Sequence, residues 1–140
     1  MIKSKSYIKQ IPIDYSFVIS KTYKSFIIGN NQELVKSLKS LKISTKKNII
    51  FIYGKRSSGK THLLKATETY FNSNVLYVDE KKETNFDLNK LSKYNLLLID
   101  NLEKIISTNE KEKNIFKIIN EFILNKKNIV VSSNKPLKKI

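Results

Sequence analysis

Two of the three glycines in this chain bracket one eight-residue run, Gly54-Lys55-Arg56-Ser57-Ser58-Gly59-Lys60-Thr61. The spacing is G-x-x-x-x-G-K-[ST], the P-loop pattern. It constrains the fold because it works only between a buried strand and the start of a helix. Both flanks suit that role. Ile49-Ile50-Phe51-Ile52-Tyr53 is a continuous apolar run that reads as a strand. After the loop, Leu63, Leu64, Thr67, Tyr70 and Phe71 fall along one helical face, and His62 reads as a helix residue facing its neighbours. Glycine lets the backbone curl so that successive N–H groups converge on phosphate oxygens, and the helix N-terminus adds its positive dipole end. In such a loop Lys60 reaches the β- and γ-phosphates of a nucleotide and the Thr61 hydroxyl holds Mg²⁺. Arg56, within the loop, faces either a phosphate or solvent.

The rest of the chain repeats the strand–helix alternation. Asn31 is placed to cap a helix carrying Leu34, Val35, Leu38 and Leu41. Val75–Val78, Leu96–Ile99 and Ile129–Val131 read as three further buried strands, with a short helix near Leu88. Ser107 with Glu110 forms a capping box for a helix whose expected core face is Ile115, Ile118, Ile119, Phe122 and Ile123. Alternating units of this kind predict an α/β fold: a parallel sheet flanked by helices on both faces.

Two more positions carry chemistry. Leu96-Leu97-Leu98-Ile99 ends in Asp100, an apolar strand closing on a carboxylate. Lying 40 residues after Lys60, Asp100 is the expected metal-side acid, with Thr61 the second metal-side residue. Asn101 follows where many such ATPases carry a second acid. An asparagine orients a water but cannot take its proton, so the expected outcome is nucleotide binding with slow or no intrinsic hydrolysis; the alternative is a plain turn residue. Asn134, just past the last strand, is expected to sense the γ-phosphate or the attacking water if that strand lies between the P-loop strand and the strand of Asp100. Asp100, Asn101 and Asn134 are therefore the candidate catalytic residues.

Composition limits the alternatives. A chain of 140 residues suits one domain. It has no cysteine, hence no disulfides and none of the usual structural zinc sites. No 18-residue apolar run or signal peptide is evident, so a cytoplasmic address and no membrane contact are expected. The net charge of +15 invites a nucleic-acid reading, yet Arg56 is the one arginine among 27 basic residues, and the lysines are scattered. Lysine, asparagine and isoleucine enrichment together is what an AT-rich genome imposes along a whole chain, and that reading is preferred to a specific DNA-binding groove, so DNA contact is expected to be indirect or weak.

Gly54…Gly59-Lys60-Thr61-His62-Leu63-Leu64, Leu98-Ile99-Asp100-Asn101 and Ser132-Ser133-Asn134-Lys135-Pro136 together resemble the AAA+ domain of the bacterial replication initiator DnaA and its regulatory homologue Hda. Phe26-Ile27-Ile28-Gly29 is similar to the segment that opens this domain and helps enclose the adenine. The resemblance covers residues 7 to 140. It implies an AAA+ P-loop ATPase fold, incomplete at its C-terminal side because the fifth strand, arginine finger and helical lid of the family find no match. ATP or ADP with Mg²⁺ is the implied cofactor. Asp-Asn at 100–101 resembles Hda, and Gln10-Ile11-Pro12-Ile13-Asp14-Tyr15 is similar to the peptide by which Hda grips the DNA-polymerase sliding clamp. The resemblance thus implies a flexible tail over 1–22, with Gln10, Ile11, Ile13 and Tyr15 as partner-binding residues, and a partial AAA+ domain over 23–140. The implied role is regulation of replication initiation: docking on the sliding clamp and promoting ATP hydrolysis by the initiator DnaA. The alternatives are an initiator or helicase-loader ATPase acting on DNA, a non-catalytic module with a degenerate pocket, or, for Gln10–Tyr15, an ordinary edge strand.

Overall fold

The computed structural model describes residues 8–12, 32–42, 47–55, 59–82 and 84–136, the first of these as backbone only. In chain order the elements are β1 (Ile8–Pro12), α1 (Gln32–Ser40), β2 (Ile49–Tyr53), α2 (Lys60–Phe71), β3 (Val75–Val78), a 3₁₀ turn (Leu88–Lys93), β4 (Leu96–Ile99), α3 (Leu102–Ile105), α4 (Asn109–Leu124) and β5 (Asn128–Ser133). The strands form one sheet of order β1-β2-β5-β4-β3, every pair parallel.

Period-two alternation divides the core between the two faces of this sheet. Ile50 and Ile52 of β2, Leu96 and Leu98 of β4 and Val130 of β5 pack with Leu34, Val35 and Leu38 of α1 and Leu63, Leu64 and Ala66 of α2. On the other face Phe51, Leu76, Val78, Leu97, Ile99, Ile129 and Val131 meet Ile105 of α3 and Ile115, Ile118 and Phe122 of α4. Because both faces are covered, β2, β3 and β4 read as unbroken apolar runs. β5 is inserted between β2 and β4, and this decides the site: Ser132 lies level with Ile52, and Val131 level with Ile99.

Four details depart from the sequence reading. The sheet has five strands where four were expected, because Ile8–Pro12, read as part of a free tail, pairs in register with Ile49–Tyr53. Pro12 is compatible with this place, since β1 is an edge strand and proline is confined to edges or strand ends. The cap of α4 is Thr108 instead of Ser107: its hydroxyl accepts from the Lys111 N–H at 3.2 Å, one residue later than the box predicts. Ile123, placed on the core face, is 41% exposed, on the flank of the apolar stripe in the last turn of α4. Tyr70 is also exposed, its ring lying beneath the Lys42 ammonium at 4.9 Å. Asn31 and the segment Phe26–Gly29 lie outside the described residues.

Candidate functional site

The loop between β2 and α2 enters the helix through Gly59, whose φ of 94° and ψ of 14° place it in the left-handed region. A side chain there meets the following carbonyl, which is why glycine ends the loop. The Gly59 carbonyl accepts the first turn's bond from the Leu63 N–H at 2.9 Å, so the glycine belongs to the helix geometry as well as to the loop. Arg56, Ser57 and Ser58 lie outside the described residues. The Lys60 side chain is buried and turns back over the loop, its ammonium donating to the carbonyls of Gly54 at 2.8 Å and Lys55 at 2.7 Å. Burial lowers the pKa of Lys60, and the negative charges of Glu103 and then Asp100 oppose that shift. His62 is buried in the first turn of α2, as a helix residue facing its neighbours should be.

Asp100 follows β4 with the parity of Leu96 and Leu98, so it faces α2; Ser132, with the parity of Val130, faces the same way. Its carboxylate is buried and holds three hydroxyl donors. Thr61 Oγ1 reaches Oδ2 at 2.8 Å, Tyr77 Oη reaches the same oxygen at 2.9 Å, and Ser132 Oγ reaches Oδ1 at 2.9 Å. Three such bonds fix the orientation of the carboxylate. The Tyr77 ring is held from the other side by Lys65, whose ammonium stands 3.7 Å from its centroid. The pKa of Tyr77 is raised, first by burial and then by the Asp100 charge, so the phenol remains a donor. The two candidate metal-side residues therefore touch directly, and a carboxylate with an adjacent threonine hydroxyl is an oxygen donor pair suited to Mg²⁺.

Asn101 adopts a left-handed conformation at φ 59°, ψ 63°, one that asparagine tolerates better than most residues. Its N–H donates to Ser132 Oγ at 3.0 Å, and its side chain makes no capping bond to α3. The turn thus has a structural use for Asn101. Asn134 lies just beyond β5, and because β5 separates β2 from β4, the topological condition for its sensor role is met. Its N–H donates to both carboxylate oxygens of Glu103, at 3.3 and 3.2 Å. The chain is closed against the loop by the Gly54 N–H, which donates to the Ser133 carbonyl at 3.3 Å. Lys60, Thr61, Asp100, Asn101 and Asn134 are thus gathered where β2, β4 and β5 end.

Two members of this cluster escaped the sequence reading. Glu103 was legible only as an acid three residues past Asp100, and Tyr77 only as the polar-tipped residue in an apolar strand. Neither signal is distinctive without knowing which strands adjoin. Gln10 and Ile11 lie in β1 at the opposite edge of the sheet from β3, while Ile13 and Tyr15 lie outside the described residues.

A parallel sheet of this order, with the glycine-lysine-threonine loop joining β2 to α2 and a carboxylate closing β4, defines a P-loop ATPase fold of the AAA+ kind. Residues 19–140 match the family model of the bacterial DnaA ATPase domain, and the chain belongs to that family, which is linked to the initiation of replication. It is similar to an uncharacterized protein of Haemophilus influenzae, 30% identical over 131 residues that make up 89% of this chain and 57% of the relative. It is 32% identical to the chromosomal replication initiator protein DnaA of Lachnoclostridium phytofermentans over 142 residues, covering 85% of this chain and 31% of that one. Among solved structures, domain III of the Thermotoga maritima replication initiation protein DnaA superposes with a TM-score of 0.67 at 25% identity, over 82% of this chain and 56% of the other. AMPPCP-bound DnaA from Aquifex aeolicus gives 0.62 at 27% identity, over 82% and 42%. The chain spans 57% or less of the length of each of these relatives. No helix among the described residues is long and apolar enough to cross a membrane.

Proposed function

We propose that this chain binds an adenine nucleotide, ATP or ADP, together with Mg²⁺, between the β2–α2 loop and the end of β4, and acts in the control of replication initiation. The observation that carries the reading is the convergence of Lys60, Thr61 and Asp100 at the foot of a left-handed Gly59. Gly54 to Thr61 then wrap the phosphates, Lys60 leaves its two carbonyls for the β- and γ-oxygens, and Thr61 and Asp100 take the metal side. Asn134 serves as the phosphate sensor. A nucleotide analogue bound by the Aquifex aeolicus relative supports the same choice of ligand. Calorimetric titration with ATP and ADP, with and without Mg²⁺, tests it. Lys60→Ala removes the ammonium aimed at the β- and γ-phosphates and is expected to weaken both nucleotides by about 1.5–3 kcal/mol. Equal affinities in the variant and the unmodified chain would overturn the assignment.

The finer role follows from Asn101 and from Gln10–Tyr15: a cytoplasmic regulator of the Hda kind that docks on the sliding clamp and promotes hydrolysis of ATP by DnaA. The glutamine–aliphatic–aromatic order supports a clamp-docking peptide, while the pairing of its first residues in β1 supports the edge-strand alternative. A second reading, an initiator-type ATPase acting on DNA, is supported by the relatives named as initiators and by the charge of +15. Tight, salt-dependent DNA binding that survives loss of the N-terminal segment distinguishes it.

A further inference from the structure

We propose that Glu103 is the carboxylate that accepts the proton of the attacking water in this site, the part Asn101 cannot play. The proposal rests on the nucleotide-binding reading above and extends it to the hydrolytic step.

The backbone explains why the acid stands at 103. The left-handed turn at Asn101 directs the chain away from β4 and ties the Asn101 N–H to Ser132, so position 101 serves the turn. Leu102 and Ile105 anchor α3 in the core on the α4 side of the sheet, which fixes the rotation of this one-turn helix. Glu103, half-buried in its first turn, is left facing the end of β5, with both oxygens within 3.3 Å of the Asn134 N–H. Its charge also acts on Lys60, ahead of that of Asp100. The carboxylate is therefore held at the residue in the sensor position, and its charge is felt by the P-loop lysine.

Asp100 is poorly placed for the same task. Its two oxygens already hold the hydroxyls of Thr61, Tyr77 and Ser132 and face the metal side. Among the described residues the two oxygens of Glu103 share one backbone N–H, against an acceptor capacity of about four lone-pair sites for an ionised carboxylate. In the step itself the water oxygen bonds to the terminal phosphorus of a nucleoside triphosphate. The bond from that phosphorus to its bridging oxygen breaks, and its electron pair leaves with the diphosphate. The proton released from water passes to the Glu103 carboxylate and from there to phosphate or solvent.

Glutamine at 103 separates this role from simple anchoring, because its carbonyl oxygen still accepts the Asn134 N–H but is no base. The test uses the full chain with Mg²⁺, protein in excess over ATP, and measures single-turnover hydrolysis. Affinity for a non-hydrolysable ATP analogue is titrated in parallel. Glu103→Gln is expected to keep the analogue affinity within about threefold while slowing the single turnover by about a hundredfold, the lower end for a lost general base. Its isolated complex should retain triphosphate where the unmodified chain holds diphosphate. The proposal is overturned if Glu103→Gln hydrolyses at the unmodified rate, including the case in which only Glu103→Ala is slow, which would make the residue an anchor for Asn134. It is overturned too if the unmodified chain binds the analogue but hydrolyses no faster than solution. Failure to bind the analogue at all removes the nucleotide reading as well, and is visible separately in the titration arm.

Discussion

Replacing Asp100 by alanine should destabilise the protein by stranding buried hydroxyls, and the Tyr77 hydroxyl can be isolated by a second substitution. Three hydroxyls lose their acceptor, but they do not suffer equally. Thr61 is half-exposed and regains water, while Ser132 Oγ still accepts the Asn101 N–H and only its own buried O–H is left without the carboxylate, equally in every variant that lacks Asp100. Tyr77 is buried beneath Lys65 and has only the carboxylate within reach of its hydroxyl among the bonds described. An unsatisfied buried hydroxyl costs about 1–3 kcal/mol, so with the lost packing of the carboxylate Asp100→Ala should lower stability by about 2–3 kcal/mol. Tyr77→Phe alone forfeits one hydrogen bond to a charged acceptor, about 1.5 kcal/mol. The double variant contains neither the carboxylate nor the stranded Tyr77 hydroxyl. It should therefore be about 1 kcal/mol more stable than Asp100→Ala, a non-additivity of roughly 2.5 kcal/mol across the cycle. Equilibrium urea denaturation of all four proteins measures this, provided the slope against denaturant is unchanged. Additive losses, or a double variant less stable than Asp100→Ala, would show that the Tyr77–Asp100 bond does not operate in the folded protein.

Three further outcomes are expected. Because Tyr77 has its pKa raised in the folded state, the unfolded chain loses that proton first; stability should fall as pH rises above the ordinary tyrosine value of 10.0, by up to about 1.4 kcal/mol per pH unit, and Tyr77→Phe should flatten this alkaline limb in a denaturation series from pH 8 to 11. Gly59→Ala forces a Cβ into the left-handed entry to α2 and should cost about 1–2 kcal/mol by the same denaturation assay, with nucleotide affinity falling as well. If Gln10 to Tyr15 dock on the sliding clamp, Gln10→Ala with Tyr15→Ala should abolish clamp capture on a surface without altering nucleotide affinity; equal capture by the double variant would leave these residues with a purely structural use.

The local record in the sequence was rich. The apolar runs of β2 to β5 and the stripe Leu34-Val35-Leu38 announce their elements because strand and helix periodicities are properties of a few consecutive residues. Gly59 announces its left-handed conformation for the same reason, since the clash that forbids other residues there is within its own backbone. Asp100 and Thr61 could be paired because the P-loop and the strand-ending carboxylate each fix their own end of a strand. Where Ile8–Pro12 would pair, and that Tyr77 and Glu103 would join the site, depended on which strands became neighbours. That choice is made by packing helices on both faces of the sheet and by closing long loops, and no single segment encodes it. Inserting β5 between β2 and β4 brings Ser132 to Asp100 and Asn134 to Glu103 across 32 and 31 residues of chain. The chemistry of the individual residues was therefore readable from the sequence, whereas the company each one keeps was decided by the tertiary fold, because hydrogen bonds between distant segments form only where the sheet order brings their strand ends together.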